Sequence, residues 1–272
     1  MMASVRTVYH VAVHVFKESV RDKVLYNLVL FAGLLMAASV LIGQLTAGQD
    51  VKIIKDLGLA AISVFGLFIA IFIGIGLVSK EVEKRSIYAL LAKPVQRHEF
   101  IAGKFAGLAL TLAINIAVMA IVYFAVLAWY GATESEAVQR AWEAPAVDPR
   151  LLVPIVLIFL QLLVVNAIAL FFSTFTSPAM AAAGSLGLWV AGHFNADLRA
   201  FDRVVDSAAA GIVGKGLYYV LPNFAAFDVK AVVVHGQSVP AGFVLFNAGY
   251  AAVYIAVLLI GAAIIFARRD FK

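Results

Sequence analysis

Five stretches of this chain, 24–49, 57–79, 105–133, 151–196 and 231–267, contain no Asp, Glu, Lys or Arg. A helix crosses the ~30 Å hydrocarbon layer of a bilayer in about 20 residues, and each stretch is at least that long. The stretch 151–196 has 46 residues, about 69 Å at the helical rise, which is too long for one crossing. It breaks at FSTFTSPAM, where Ser177 can cap a helix and Pro178 can take the first helical position. The expectation is an all-α integral membrane protein, a single membrane domain over 1–272. Its six transmembrane spans lie near 24–43, 57–79, 104–130, 151–173, 178–194 and 242–267. With 64% hydrophobic and 14% charged residues, the composition leaves no room for a soluble fold.

Six spans return both termini to one side. Residues 1–23, 80–104 and 268–272 carry 13 basic and 6 acidic residues, whereas 50–56, 134–150 and 197–230 carry 8 and 10. The positive-inside rule therefore puts both termini in the cytoplasm. A cleaved signal peptide is the competing reading of the first apolar run. Residues 1–23 are too long and polar for its charged head, and no small-x-small site followed by a soluble domain appears, so the run is read as a span. The pI of about 9.4 raises nucleic acid as a partner. The basic residues flank apolar runs instead of interleaving with aromatics, so no nucleic-acid binding is expected.

Before the first span, Arg6, His10, His14, Lys17 and Arg21 form one polar stripe of a helix over 4–22, opposite Val5, Val8, Ala12, Val15 and Phe16. Such a helix lies in the membrane interface with its cations near anionic headgroups. His10 and His14 stand at i, i+4, but no third ligand is near, and cysteine is absent, so no metal site is expected.

The charge-free stretches weigh against a carrier driven by protons or ions, which needs an ionisable group inside the membrane. The polar residues left in the spans are Asn115, Gln161, Asn166 and Asn247, with Tyr250 and Tyr254. They either hydrogen-bond between helices or line a translocation path. Enzyme motifs fail on inspection. His98-Glu99 is followed by Ala102 where a zinc protease needs a second His, and Gly184-Ser185-Leu186-Gly187 is no nucleophile elbow. Gly214-Lys215 precedes Gly216 and residue 209 is Ala, so no phosphate-binding loop exists for ATP. Small residues recur every fourth position at Gly66, Ala70 and Gly74, and at Ala179, Ala183, Gly187 and Ala191. These ridges suit close helix packing, within the chain or across a dimer seam.

The densest charge falls in LVSKEVEKRSIYALLAKPVQRHEFIAGK, residues 77–104. Glu81 and Arg85 at i, i+4 favour a helix continuing out of the second span. Ile87, Leu90 and Leu91 make a short apolar face, Pro94 ends it, and a second helix starts near Gln96. A plain loop needs neither an apolar patch nor three carboxylates, so 80–103 is read as a protein-contact elbow. Farther along, Thr133 and Glu136 suggest a capping box for a brief helix, and Asp148-Pro149 starts the fourth span. Tyr218, Tyr219, Phe224 and Phe227 flank the break Leu221-Pro222-Asn223, as an aromatic anchor or as a short re-entrant gate.

The series Glu81, Glu83, Arg85, Ser86, Ile87, Leu90, Leu91, Ala92, Pro94, Arg97, Glu99, Phe100, Gly103 and Lys104 resembles the first cytoplasmic loop of type-2 ABC exporter permeases. YYVLPNFAAFD at 218–228 and the terminal FARRDFK are similar to further marks of that family. The resemblance covers essentially the whole chain, and its nearest branch is that of the multicopper-enzyme-maturation permeases. It implies a permease subunit of the bacterial inner membrane, working as a dimer with a second permease copy. Each copy would dock a separate cytoplasmic ABC ATPase that holds ATP and Mg, so this chain needs no cofactor. Docking would use the entrance helix together with Glu81, Glu83, Arg85, Ile87, Leu90, Leu91, Pro94, Arg97 and Glu99. A periplasmic accessory protein is a further expected partner. Two other function classes compete: a scaffold or signal transducer that docks an ATPase without moving cargo, and a secondary carrier. A role in copper-enzyme assembly would involve cargo other than bare copper, because the few Met residues are dispersed and Cys is absent.

Overall fold

A computed structural model describes residues 2–44, 50–83, 96–195 and 208–268, with side chains over 5–44, 50–75, 96–195 and 214–267. The described residues form helices and turns, with no strand. In chain order the helices are α1 (Met2–Ser19), α2 (Lys23–Gln44), α3 (Asp50–Glu83), α4 (Arg97–Thr133), α5 (Glu136–Ala141), α6 (Leu152–Ser173), α7 (Pro178–His193), α8 (Ala208–Val220), α9 (Lys230–Val234) and α10 (Ala241–Arg268). Two 3-10 turns, Pro149–Leu151 and Ala225–Phe227, precede α6 and α9.

Five helices are long and apolar enough to span a membrane: Lys23–Gln44, Asp50–Ile75, Arg97–Thr133, Pro149–Ser173 and Ala241–Ala267. The chain is an all-α multi-pass membrane protein. α3 and α6 form its centre, packed on each other and on α4, while α2 and α10 lie at the periphery. With lipid outside, helix packing must come from close van der Waals fit. The fit is visible where α3 crosses α6. A Cβ at Gly66 would stand 2.5 Å from Leu162 Cδ1, and one at Gly74 would stand 2.8 Å from Ala169 Cβ. The ridge Gly66–Ala70–Gly74 is therefore an internal seam. The ridge on α7 points elsewhere: Ala179, Ala183 and Gly187 are exposed, and a Cβ at Gly187 would meet nothing within 4 Å.

The helices overrun the expected spans. The predicted span 57–79 belongs to a 34-residue helix starting at Asp50, and the predicted span 104–130 to a 37-residue helix starting at Arg97. Lys and Glu are good helix formers and Asp suits a first turn, so charge ended the apolar runs without ending the helices. Two of the charges at the edges of the charge-free stretches do not face water. Lys55 (1% exposed) and Lys104 (0%) are buried inside the bundle, on α3 and α4.

The fifth predicted span, 178–194, coincides with α7 (Pro178–His193). α7 has 16 residues, about 24 Å, less than the hydrocarbon thickness. Its last residue, His193, lies against Gln161 in the middle of α6, with Nε2 atoms 3.1 Å apart. Farther along, the pair Gly214–Val220 and Ala225–Val234, bent by 47°, is together long and apolar enough to make a sixth, broken crossing. Elsewhere the capping signals held or moved slightly. Ser177 is the N-cap of α7 with Pro178 following, and Asp148 Oδ1 accepts from Arg150 N at 2.9 Å to open the turn before α6. The N-cap position of the brief helix α5 is Ser135, without a side-chain cap bond, and not Thr133, which closes α4 by donating to Tyr130 O.

Candidate functional site

At one end of the bundle α1 and the last described turn of α10 meet the first turns of α4. The α1–α4 contact exists because Gly103 and Gly107 lack side chains. A Cβ at Gly103 would lie 2.7 Å from Val11 Cβ, and one at Gly107 would lie 2.6 Å from the Ala12 carbonyl oxygen. Val15, 2% exposed, fills the step beside Gly107. The face of α1 that packs is thus Val8, Val11, Ala12 and Val15, while Val5, expected on that face, is exposed. Arg6, His10, His14, Lys17 and Arg21 are all exposed along the opposite side.

Of the expected coupling residues, Arg85, Ile87, Leu90, Leu91 and Pro94 lie outside the described residues. Glu81 and Glu83 fall in the last turn of α3, and their side chains lie outside them too. Arg97 and Glu99 are described, and each has a partner within the chain. Arg97 Nη1 donates to the carbonyls of Phe266 (2.9 Å) and Ala267 (2.6 Å). Glu99 Oε2 accepts from Gln96 N at 3.3 Å as half of a capping box that starts α4. Lys104 Nζ stands 4.7 Å from the centroid of the Phe100 ring, which stacks on Phe266 at 5.8 Å.

The candidate path residues separate into different local settings. Asn115 donates to Thr111 O (2.8 Å) and Asn247 to Phe243 O (3.0 Å), each within its own helix. Asn166 is 1% exposed at the α3–α6 seam, where its Oδ1 would meet a Cβ at Gly74, and that oxygen has no partner among the described residues. Gln161 alone joins two elements, through His193. His193 is further held by Trp189 O (2.8 Å) and lies between the rings of Trp189 and Phe224. The structure does not gather the four into one site.

Sequence reasoning missed the groups that stabilise the broken crossing. Backbone freed at membrane depth is tolerated only when protein partners satisfy it. Asn195 donates to Tyr218 O (3.0 Å) and Leu221 O (3.2 Å), and Phe224 N donates to Gly192 O at 2.9 Å. From α10, Tyr254 donates to Val220 O (2.7 Å), and the Tyr250 hydroxyl accepts from Asn223 N (2.9 Å). The only sequence signal was the pair of tyrosines four residues apart on an apolar helix, whose hydroxyls require partners.

At the far end, Lys55 Nζ donates to Pro145 O at 2.8 Å, and Tyr123 donates to the Lys55 carbonyl at 3.2 Å. Glu143 joins Lys52 (2.6 Å) to His235 (3.0 Å), and Arg150 donates to Gly236 O. Hydrogen bonds from Lys52 and then His235 hold the Glu143 carboxyl below the usual carboxylate range.

No curated protein matches the chain. A family model described as ABC-2 family transporter protein matches residues 9–271, from α1 through the end of α10. The members are membrane subunits that work with an ABC ATPase, and in bacteria their place is the inner membrane. The chain belongs to the ABC-2 family of transporter proteins and is a permease component of an ABC transporter.

Proposed function

We propose that this permease exports cargo outward across the membrane, driven by a separate cytoplasmic ATPase docked at segment 80–103 and at the polar face of α1. The observation that carries this reading is the joint at Gly103 and Gly107. Through it, α1 is pressed onto α4 within a few residues of the segment, so a push on either reaches a spanning helix without slack. The charge bias of the sequence makes this end the cytoplasmic one. ATP and Mg would belong to the ATPase. A second copy of the chain would complete the transporter, with the exposed small-residue ridge of α7 as a candidate seam. The broken crossing at 214–234 would form the outer exit, where a periplasmic accessory protein would have access.

Reversing Glu81 and Glu83 to Lys in the full chain, reconstituted with its ABC ATPase, tests the docking assignment. The expected result is loss of ATPase binding and of stimulated hydrolysis. Unchanged binding and stimulation would remove these carboxylates from the interface. Stimulation without any vectorial movement of cargo in sealed vesicles would instead favour a force-transducing scaffold.

A further inference from the structure

Segment 80–103 re-enters the described structure at Gln96, and the next residue reaches across the bundle to the last helix. Residues 97 and 266 are 169 positions apart. The carbonyls of Phe266 and Ala267 belong to the last described turn of α10. A cation there also faces the negative end of the helix dipole. One turn farther on, Phe100 stacks on Phe266 at 5.8 Å with 19° between the rings. The next turn carries Gly103, seated on α1. Three turns of α4 thus bind two elements from opposite ends of the chain.

We infer that Arg97 is a positioning residue of the transport cycle: it clamps the end of α10 to the start of α4, so that α10 moves together with α1 and the coupling segment. The inference rests on the reading of 80–103 as the segment that receives force, and it adds the route by which that force reaches the last span. α10 needs such a tie, because only 17% of its apolar window is buried. The same helix carries Tyr250 and Tyr254, which hold the broken crossing. A displacement of α10 therefore reaches the exit region directly.

The chain has no cysteine, so paired spin labels can be placed without background. His14 on α1 and Ile264 on α10 are both exposed. With the full chain in lipid nanodiscs and no partner present, Arg97→Ala is expected to speed amide exchange in the last turns of α10 by about tenfold or more. Arg97→Lys, which keeps a cation, should fall between. Phe266→Leu, which keeps both acceptor carbonyls, should give a smaller increase and guards against a misfolded Arg97 variant. Equal exchange in all four proteins overturns the clamp whatever the partner does. With the copurifying ABC ATPase and ATP, the His14–Ile264 distance should hold in the wild type and broaden or shift in Arg97→Ala. A wild-type distance that changes with ATP, while hydrolysis is stimulated, overturns the clamp alone. Absence of a bound ATPase or of stimulation overturns the coupling reading and this inference together.

Discussion

At the end where α1 and α10 meet α4, cations are directed at backbone carbonyls and rings. Arg97 sits on the α10 carbonyls and Lys104 beside Phe100, and glycines bring α1 and α4 into backbone contact. At the far end Lys55 and Arg150 also reach carbonyls, but three ion pairs, Lys52–Glu143, His235–Glu143 and Lys230–Asp228, join partly or fully exposed side chains. Exposed ion pairs are screened and individually weak, whereas backbone contact across a glycine step has no give. The first end is therefore held chiefly by backbone contact, and the second in part by pairs that salt weakens.

Four substitutions break or sharpen this contrast. Gly107→Val should have the largest effect, because its Cβ would stand 2.6 Å from the Ala12 carbonyl oxygen and 2.7 Å from Val15 Cβ. α1 must lift, at a cost of about 1–3 kcal/mol, measurable as a lower unfolding temperature in detergent and faster exchange of the α1 amides. Lys55→Met tests a buried far-end cation. It removes the donor to Pro145 O and should cost about 1–2 kcal/mol; no change would mean that the far end holds without it. Gln161→Leu removes the bond to His193 and should cost about 0.6 kcal/mol, the mean for hydrogen bonds between membrane helices.

Glu143→Gln should have the smallest effect at neutral pH. Its sign shows in acid. The wild-type carboxyl is held below its ordinary range by Lys52 and His235. Its stabilising contribution is therefore fully present above the unfolded value of about 4.3 and is lost as pH falls through the lowered folded value. Unfolding temperature should fall with pH in that window for the wild type more steeply than for Glu143→Gln. Parallel curves would show that the far-end pairs contribute nothing.

Much of the architecture was legible in the sequence because a bilayer imposes a length on apolar runs. Runs without charge located the long helices, and the Ser177-Pro178 and Asp148-Pro149 signals located two helix starts. The errors share one cause. Charge marks where lipid ends, not where a helix ends, so α3 and α4 overran their spans and carried Lys55 and Lys104 into the interior. The motif containing Arg97 and Glu99 pointed to the right end of the bundle, but their partners are a helix C-terminus and a first-turn N–H.

Residue order alone determined that this chain lives in a membrane and that it is helical, because those properties depend on local composition and run length. Which residues meet was decided by the tertiary fold. The clamp on α10, the glycine step under α1 and the tyrosines that satisfy the broken crossing all join positions far apart in the chain. Such contacts depend on how helices pack, and no periodicity within a single helix encodes them.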